Sequence, residues 1–356
     1  MSDSTEKEPE ILCFKDIKLK KLKWLWPNRF PLGKLALIVG DPEKGKSMLA
    51  LYMAGQVSTG RPWIDAPNPN LPGSVVILTL EDDYADTVGT RLSATGADVS
   101  KIFTIDAINT GGKRRGLYNL TDDLDVLIKT VQRINENPNL PNVRLIIIDP
   151  ISGYMKGKNE NKNAEVREFL TPLMDLARSF GIAVVGISHL NKNQMTQSAA
   201  YRVLGSIGFA AAARAVWLVH QDPEDEVRRL FVPSKGNLCR KPTGLSYTIM
   251  TTMVKTEEGP ADTGYCAFSP DPVLITAREL LAPKLEKPSP KRDAAADWLQ
   301  EYLSDGPKFA KEIFIVGSQM DFSQKTLERV KKKLAIQSIK SSQPGGLGGW
   351  EWSLPC

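Results

Sequence analysis

The residues from Gly40 to Ser47 read GDPEKGKS and have the spacing G-x-x-x-x-G-K-S/T. An apolar run, LALIV, precedes them, and an apolar-faced stretch that begins MLALYM follows. This order predicts a buried strand, a glycine loop and a helix. Backbone N–H groups of such a loop and of the helix N-terminus converge on phosphate oxygens, and glycine lets the backbone approach them closely. The motif therefore predicts a nucleotide-binding loop.

The last residues of the motif have separate chemical roles. Lys46 places a positive charge between the β- and γ-phosphates, and the Ser47 hydroxyl ligates Mg²⁺. The alternative is a glycine turn that carries a surface lysine. The predicted nucleotide-contacting residues are Gly40, Asp41, Pro42, Glu43, Lys44, Gly45, Lys46, Ser47 and Met48.

Further chemical side chains stand at the ends of predicted apolar strands. Asp149 closes RLIIID, where a carboxylate that organises Mg²⁺ opposite the phosphate loop is required. Glu81 follows SVVILTL and is placed to polarise an attacking water as a general base. Alternatively, Glu81, Asp82 and Asp83 form an acidic helix N-terminus that the helix dipole favours. We predict that Asp82 and Asp83 mostly cap this helix. His189 follows IAVVGIS and is a candidate γ-phosphate sensor, unless a backbone partner merely satisfies its ring.

Length and composition restrict the class of protein. A chain of 356 residues suggests one large domain and a smaller one. No apolar run reaches the roughly 18 residues of a membrane span, and the polar start MSDSTEKEPE differs from a signal peptide. The four cysteines form no C-x-x-C pair and only two histidines occur, so we expect reduced thiols in the cytoplasm and no zinc module. With a net charge of only +5, nucleic-acid contact requires local basic clusters.

Strand and helix patterns alternate from Gly33 to about Phe268. Apolar strands are predicted at 34–39, 74–80, 143–149, 182–188, 214–219, 228–234 and 245–250. Helices are predicted around 47–58, 83–95, 121–135 and 163–180. Near-continuous apolar strands separated by helices predict an α/β fold with a mainly parallel central sheet covered on both faces. The short connections between the later strands predict antiparallel additions.

The pattern divides the chain into four regions. A polar tail and basic lead-in occupy 1–30, the nucleotide-binding domain 31–280, and a proline- and lysine-rich linker 281–292. Residues 293–356 contain three helical patterns, the last capped by Ser323, and then two short strands around the glycine-rich loop QPGGLGG. Three helices and a glycine-tipped ribbon predict a winged-helix domain.

The order of the sequence blocks resembles the RecA-like hexameric helicase family. The blocks are the glycine loop, LTLEDD, TRLSATGAD, LIIIDP, ISHLNK, GSIGFAAAARAVWLV and SKGN, and they lie between about residues 25 and 250. The pattern is similar to that of the compact RepA-type branch of AAA ATPases. The resemblance implies an ATP- and Mg²⁺-dependent homo-hexamer that moves on single-stranded DNA during replication of a plasmid, phage or other mobile element. It also implies a primase or an initiator or loader protein as partner, and no membrane.

The resemblance further implies individual roles. Arg214, in AAARAVW, corresponds to the arginine finger that a neighbouring subunit supplies; the alternative is a strand-edge arginine in a surface ion pair. Lys235, in SKGN, falls where relatives carry a basic residue that faces the neighbour's nucleotide. Arg91 lies in a family block without an assigned role, and Glu43 and Lys44 replace the small residues of relatives. The implied catalytic residues are Lys46, Glu81, Asp149, His189 and Arg214.

Two polar loops follow strands that reach the predicted nucleotide, and relatives grip DNA with equivalent loops. The loop at 152–167 carries Lys156, Lys158 and Lys162, and the loop at 191–202 carries Lys192 and Arg202. Lysine-bearing polar loops suit sequence-independent contact with phosphates. Ordinary solvated loops have the same composition, so both interpretations remain open.

The predicted third helix of the C-terminal domain is basic. Arg329, Lys332 and Lys333 lie on its neighbouring turns, where they favour contact with DNA. A winged helix also serves as a protein-docking module.

Two other functions suit the same residues. One is a RecA-like recombination or regulatory ATPase that hydrolyses ATP without unwinding. The other is an initiator whose winged helix binds DNA and whose assembly ATP switches. Strand displacement on a forked substrate separates the helicase from both.

Overall fold

The computed structural model describes residues 11–110, 112–115, 119–190, 207–239, 242–282, 290–340 and 349–355. The candidate nucleic-acid residues Lys192 and Arg202 lie outside these ranges. The chain separates into two units, Met1–Ala282 and Pro283–Cys356, and each unit has apolar clusters of its own.

The larger unit alternates strands and helices. Its described strands are β1 (Trp24–Trp26), β2 (Phe30–Pro31), β3 (Lys34–Gly40), β4 (Ser74–Thr79), β5 (Ile102–Phe103), β6 (Ile108–Thr110), β7 (Lys113–Arg115), β8 (Val143–Asp149), β9 (Ala183–His189), β10 (Ala215–Gln221), β11 (Arg228–Gly236), β12 (Gly244–Thr256) and β13 (Gly259–Val273). Its described helices are α1 (Lys46–Thr59), α2 (Gly89–Ala94), α3 (Leu124–Glu136), α4 (Asn163–Phe180), α5 (Ile207–Ala212) and α6 (Ala277–Leu280).

Nine of the described strands form one central sheet. Their order is β13-β12-β11-β10-β3-β9-β8-β4-β5. Neighbours from β10 to β5 are parallel, whereas β11, β12 and β13 pair antiparallel. The prediction of an α/β fold with a mainly parallel sheet and antiparallel additions is confirmed.

Helices cover both faces of the sheet, as the continuous apolar strands require. On one face α1 supplies Leu49 and Met53 to an apolar cluster. On the other face α3, α4 and α5 supply Val131, Leu170 and Phe209 to a second cluster. Because β3, β9, β8 and β4 are parallel neighbours, their carboxyl ends lie together at one end of the strands. The predicted chemical side chains follow the strands at this end.

The aromatic end of the basic lead-in is buried in the core of the larger unit. Trp26 and Phe30 are fully buried, and Arg29 is 1% exposed. The Arg29 guanidinium pairs with Asp65 at 2.7 Å and lies 5.0 Å from the ring centroid of Trp217. These partners come from distant parts of the chain, so the lysine-rich sequence around them gave no sign of burial.

Several element boundaries also differ from prediction. The strand predicted at 245–250 extends over Gly244–Thr256 and forms a long hairpin with Gly259–Val273, which the sequence analysis missed. The helix predicted at 83–95 begins with a π-helical turn, Tyr84–Val88, which α2 continues. Helix α4 begins at Asn163, so the polar loop predicted at 152–167 is shorter.

The smaller unit contains three helices and three short strands in its described residues. They are α7 (Pro290–Tyr302), β14 (Lys308–Phe309), α8 (Ala310–Gln319), α9 (Gln324–Lys333), β15 (Gln337–Lys340) and β16 (Trp350–Ser353). The sheet order is β14-β16-β15. Ser323 caps α9 as predicted, because its hydroxyl accepts the N–H of Thr326 at 3.2 Å. Helix α7 begins at Pro290, within the range predicted as linker.

Two properties concern membranes and thiols. In the part of the chain that the structure describes, no helix has both the length and the hydropathy that crossing a bilayer requires. The described cysteines, Cys13, Cys239 and Cys266, are free thiols.

Candidate active site

The loop between β3 and α1 has a backbone that requires glycine at two positions. Gly45 has a φ of 84°, in the left-handed region, and immediately precedes α1. A side chain at Gly40 would collide with the backbone carbonyl of Val219. The buried Tyr247 hydroxyl donates to the Gly45 carbonyl at 3.0 Å and so attaches the loop to β12. The free N–H groups of the first turn of α1 face the same loop, as phosphate binding requires.

Lys46 is buried beside the predicted acids. Its side chain is 4% exposed, and its Nζ donates to the Asp41 carbonyl at 2.7 Å. Burial lowers the pKa of Lys46, while the charges of Asp149, Asp41 and Glu81 oppose that effect. A buried ammonium group with few donors in use is well suited to bind phosphate oxygens.

Asp149 ends β8 and is 7% exposed. Burial raises the pKa of its carboxyl group; a hydrogen bond with Ser47 and the charge of Lys46 oppose the rise, while the charge of Glu81 adds to it. The hydroxyl of Ser47 and the carboxylate of Asp149 are adjacent oxygen donors of the kind that Mg²⁺ prefers. These two residues fit the predicted metal site.

No self-sufficient metal cluster accompanies them. Among the residues that the structure describes, no three His, Cys, Asp or Glu side chains converge to hold a metal ion. That agrees with Mg²⁺ in phosphate-transfer sites, which usually takes one or two carboxylates and completes its shell with phosphates and water.

His189 lies between Lys46 and Glu81. It ends β9 opposite Gly40 in the neighbouring strand, because β9 is inserted between β3 and β8. Its Nδ1 is 3.4 Å from Lys46 Nζ, and its Nε2 is 3.7 Å from Glu81 Oε1. The Glu81 side chain is 57% exposed, so water reaches it. This arrangement allows Glu81 to accept a proton from water and His189 to respond to a phosphate bound at Lys46.

The two acids after Glu81 have different roles. Asp83 caps the π-helical turn: its Oδ1 accepts the N–H groups of Ala85 and Asp86 at 2.7 and 3.1 Å, which lowers its pKa. The capping prediction is confirmed for Asp83. Asp82 instead forms an ion pair with Arg91 at 2.7 Å. The capping prediction is therefore wrong for Asp82, because Arg91 on α2 is within its reach.

A cavity of about 600 Å³ extends over the loop. This is within the roughly 300–1,000 Å³ usual for small-molecule sites. The residues that line it near the phosphate loop are Pro42, Glu43, Gly45, Lys46, Ser47, Glu81, Asp149 and His189. Those that line its remaining wall are Met48, Asp82, Arg91, Ile249 and Gly264. The predicted residues Gly40, Asp41 and Lys44 are not in its lining.

The hairpin of β12 and β13 limits the cavity beside the phosphate loop and the first turn of α1. A Cβ atom at Gly264 would lie 2.9 Å from Met48 Cε and 3.2 Å from a methyl carbon of Ile249. The hydroxyl groups of Thr90 and Thr263 are 3.2 Å apart and join the hairpin to α2. Because Lys46 and Ser47 are the predicted phosphate and Mg²⁺ ligands, we expect the nucleoside of a bound nucleotide to lie beside this apolar wall.

The two unusual loop residues differ in position, because Glu43 lines the cavity and Lys44 does not. Glu43 has a left-handed φ of 61°, which strains a residue with a Cβ atom. Lys44 Nζ donates to Gln221 Oε1 at 2.9 Å, at the end of β10. Lys44 thus fastens the loop to the sheet.

Arg214 and Lys235 lie near the amino-terminal ends of the parallel strands, whereas the cavity lies at their carboxyl ends. The Arg214 N–H donates to the Leu35 carbonyl at 2.9 Å near the start of β3, and Gly40 ends the same strand. Five residues of strand separate these points by roughly 16 Å. The Arg214 side chain is exposed. Neither residue reaches the phosphate loop of its own chain.

Lys235 has a structural role in the described chain. Its Nζ donates to the carbonyl oxygens of Ala210, Ala211 and Ala213 at 2.7, 3.0 and 2.9 Å. These bonds use all three N–H donors of the ammonium group and cap the C-terminus of α5, just before Arg214. The predicted contact of Lys235 is with the nucleotide of a neighbouring subunit, so it stays a prediction beside this structural role.

Two of the three lysines predicted to contact DNA after β8 are paired with acids of α4. Lys158 lies 2.8 Å from Glu168, and Lys162 lies 3.0 Å from Glu165. Lys156 is exposed and has no ion pair among the described residues. Of these three lysines, Lys156 is therefore the one whose charge remains available to bind a phosphate.

In the smaller unit, the three predicted basic residues lie on α9. Arg329 and Lys332 are exposed. Lys333 Nζ is 3.1 Å from Asp293 Oδ1 of α7, so part of its charge is neutralised.

Sequence analysis missed the contribution of the hairpin. Tyr247, Ile249 and Gly264 contact the loop or line the cavity from segments about 200 residues away. Only the strand predicted at 245–250 indicated Tyr247 and Ile249, and a strand pattern does not show where the strand packs.

A family model, AAA_25, described as an AAA domain, matches residues 10–195, more than half of the chain. The chain belongs to the AAA_25 family. The matched range contains the phosphate loop, Glu81, Asp149 and His189, and it ends before Arg214 and Lys235. Membership in this P-loop NTPase family indicates hydrolysis of a nucleoside triphosphate and, as is usual for such domains, use of Mg²⁺.

Curated relatives are more distant. The signal recognition particle receptor FtsY of Rickettsia felis is 23% identical over 165 residues, which cover 45% of this chain and 52% of the relative. FtsY of Rickettsia bellii is 22% identical over 165 residues with the same coverage. The chain thus spans about half the length of the curated relatives it matches.

We predict that Asp149→Asn stabilises the ligand-free AAA_25 protein and impairs hydrolysis. Because the pKa of Asp149 is raised on folding, the folded state binds its proton more tightly, and ionisation at neutral pH costs stability. The gain in free energy of unfolding should be absent below pH 3.8, the ordinary pKa, and should grow as the pH rises above it. Turnover should fall by about 10²-fold or more. Denaturant unfolding across pH and an ATPase assay measure both.

The matched control is Asp125→Asn, an exposed aspartate paired with Lys129 whose pKa is lowered. It should give no gain in stability and unchanged turnover. Destabilisation by Asp149→Asn at neutral pH would contradict the electrostatic account of the site.

We also predict that Gly264→Val weakens ATP binding by about tenfold or more, because the added side chain fills the end of the cavity against Met48 and Ile249. Binding of Mg²⁺ with tripolyphosphate, which has no nucleoside, should be unchanged. Calorimetric titration measures both. Gly236→Val is the control, since a Cβ atom there meets nothing within 4 Å. Equal ATP affinity of Gly264→Val and wild type would place the nucleoside elsewhere.

Proposed function

We propose that the protein is an ATP-driven, RecA-like hexameric DNA helicase or translocase that acts in replication of a plasmid, phage or other mobile element. The observation that carries the proposal is the short path from the site to a basic loop. Asp149 ends β8, a single helical turn at Ile151–Tyr154 follows, and the exposed Lys156 comes two residues later. A change at the nucleotide therefore needs few residues to reach a phosphate-binding side chain.

A second path leaves the site through His189. This residue contacts Lys46 and ends β9, and the candidate loop with Lys192 and Arg202 follows it in the sequence. We propose that both loops grip the backbone of single-stranded DNA in a sequence-independent way.

The position of Arg214 supports a site shared between copies. An exposed arginine at the edge opposite the cavity cannot act in its own chain, whereas head-to-tail contact brings that edge to the cavity of the next copy. We propose that Arg214 is the arginine finger of a homo-hexameric ring and that Lys235 positions it by capping α5. A primase or an initiator or loader protein is the proposed partner.

We propose that the smaller unit is a winged helix. Its described elements follow the order helix, strand, helix, helix, strand, strand, and α9 is capped and basic on its exposed face. In this proposal α9 contacts DNA through Arg329 and Lys332, with a smaller part for Lys333.

Single-stranded DNA should stimulate ATP hydrolysis, and Lys156→Ala should lower the ratio of stimulated to basal turnover several-fold. Lys158→Ala and Lys162→Ala should have smaller effects, because glutamates already neutralise these lysines. Stimulation should weaken steeply with salt. The control Lys129→Ala changes another exposed, paired lysine on α3 and should leave the ratio unaltered. Unchanged stimulation in Lys156→Ala would remove this loop from the DNA path.

Arg214→Ala and Lys46→Ala should each be nearly inactive, for different reasons. An arginine finger contributes about 10³–10⁵ in rate, and when it acts in trans, random mixing of equal amounts restores about a quarter of the sites. Recovered ATPase activity in the mixture, with subunit exchange shown by labelling, supports the shared site. Exchange without recovery at any ratio would show that Arg214 is structural and is not the finger of a shared site.

A further inference from the structure

The smaller unit has an exposed tryptophan beside lysines. Trp350 begins β16 and is 57% exposed. Most other described tryptophans are nearly completely buried; Trp26, Trp63, Trp217 and Trp352 are all 3% exposed or less. An isolated surface hydrophobe needs no explanation, so the argument depends on the neighbours of Trp350.

The register of the β15–β16 ribbon defines those neighbours. Lys340 is directly opposite Trp350, and Ser338 is opposite Trp352. Residues two apart on a strand share a face, so all four side chains lie on one face of the ribbon. Ile339 and Glu351 form a pair on the other face.

The same face is positively charged. The Lys331 ammonium group lies 4.5 Å from the ring centroid of Trp352 and donates to the Ser338 hydroxyl. Lys340 is exposed and has no ion pair among the described residues. Between residues 323 and 340 the sequence has six basic residues and one acidic residue, Glu328. The exposed Trp350 ring therefore lies next to a lysine without an ion pair, and the Lys331 ammonium group of α9 lies over Trp352, two residues further along β16.

We propose that Trp350 is a stacking platform for a base of single-stranded nucleic acid and that Lys340 binds an adjacent phosphate. Aromatic side chains combined with cations that follow the backbone are the usual means of binding single strands. A duplex is a poorer ligand for this face, because its bases already stack on one another. The positive charge favours a polyanion over an apolar protein segment.

This inference deepens the proposed function, since it adds a second contact for the strand on the smaller unit. It differs from the contact proposed for α9, which uses charge alone. Stacking of one base contributes enough that loss of the ring should weaken binding by about 5- to 150-fold.

The test measures binding of fluorescent oligothymidylate to the full-length protein without nucleotide, by anisotropy. Trp350→Ala should weaken binding by about 5- to 150-fold, and Trp350→Phe should retain most of the affinity because it keeps an aromatic face. Ile339→Ala is the matched control: Ile339 is 52% exposed on the opposite face, and its loss should leave affinity unchanged. Lys340→Ala should lower the slope of log K against log salt by about 1. Thermal unfolding confirms that the variants are folded.

Two outcomes overturn the platform. One is oligothymidylate binding by a folded Trp350→Ala protein that equals wild type. The other is weaker binding of a DNA duplex by Trp350→Ala with unchanged binding of the single strand. DNA-stimulated ATPase activity in the same preparations separates this inference from the proposed helicase or translocase activity. If DNA stimulates hydrolysis but binding does not depend on Trp350, only the stacking platform is refuted. If binding depends on Trp350 but DNA does not stimulate hydrolysis, only the proposed helicase or translocase activity is refuted.

Discussion

The rest of the structure depends on one constraint, the burial of two opposite charges at the carboxyl ends of parallel strands. These charges are the ammonium group of Lys46 and the carboxylate of Asp149. Burial lowers the pKa of Lys46 and raises that of Asp149, so burial disfavours the charged form of each group in the free protein. Lys46 gains from phosphate oxygens, and Asp149, with Ser47, gains from a divalent cation. When bound, Mg²⁺ neutralises charge that develops on the phosphates. The free protein thus holds two buried charges whose best partners, phosphate oxygens and Mg²⁺, would come with the nucleotide.

The sheet order follows from the same constraint. Because β9 lies between β3 and β8, His189 ends next to Lys46 and near Glu81. The antiparallel strands β11, β12 and β13 then bring Tyr247 beneath the loop and Gly264 to the far wall of the cavity. The phosphate loop and the side chains around the cavity therefore depend on a single sheet. Arg214 lies at the opposite end of the parallel strands, which is why the proposed arginine finger needs a second copy of the chain.

The sequence was most informative where chemistry and burial are local. The motif GDPEKGKS and the apolar strands before Asp149 and His189 predicted the loop, the parallel sheet and the residues that meet at its edge. Each signal lies within about ten residues of the side chain it concerns. Parallel strands with acids or polar groups at their carboxyl ends leave few other arrangements.

Features that depend on contacts between distant parts of the chain could not be predicted from the sequence. Arg29 is buried because Trp217 and Asp65 surround it, and the lysine-rich lead-in gave no sign of that. The carbonyl of Ala210 that binds the Lys235 ammonium group is 25 residues away along the chain, yet such contacts decide whether that charge is free. A residue type shows which chemistry is possible, and packing decides whether it is available.

Strand displacement from a forked DNA duplex tests the central claim, that hydrolysis at the buried Lys46 and Asp149 moves a strand. The account predicts displacement that requires ATP and Mg²⁺ and that disappears in Lys46→Ala at equal DNA binding. Full, DNA-stimulated hydrolysis without displacement of a fork of either polarity would contradict it and leave an ATPase that does not unwind.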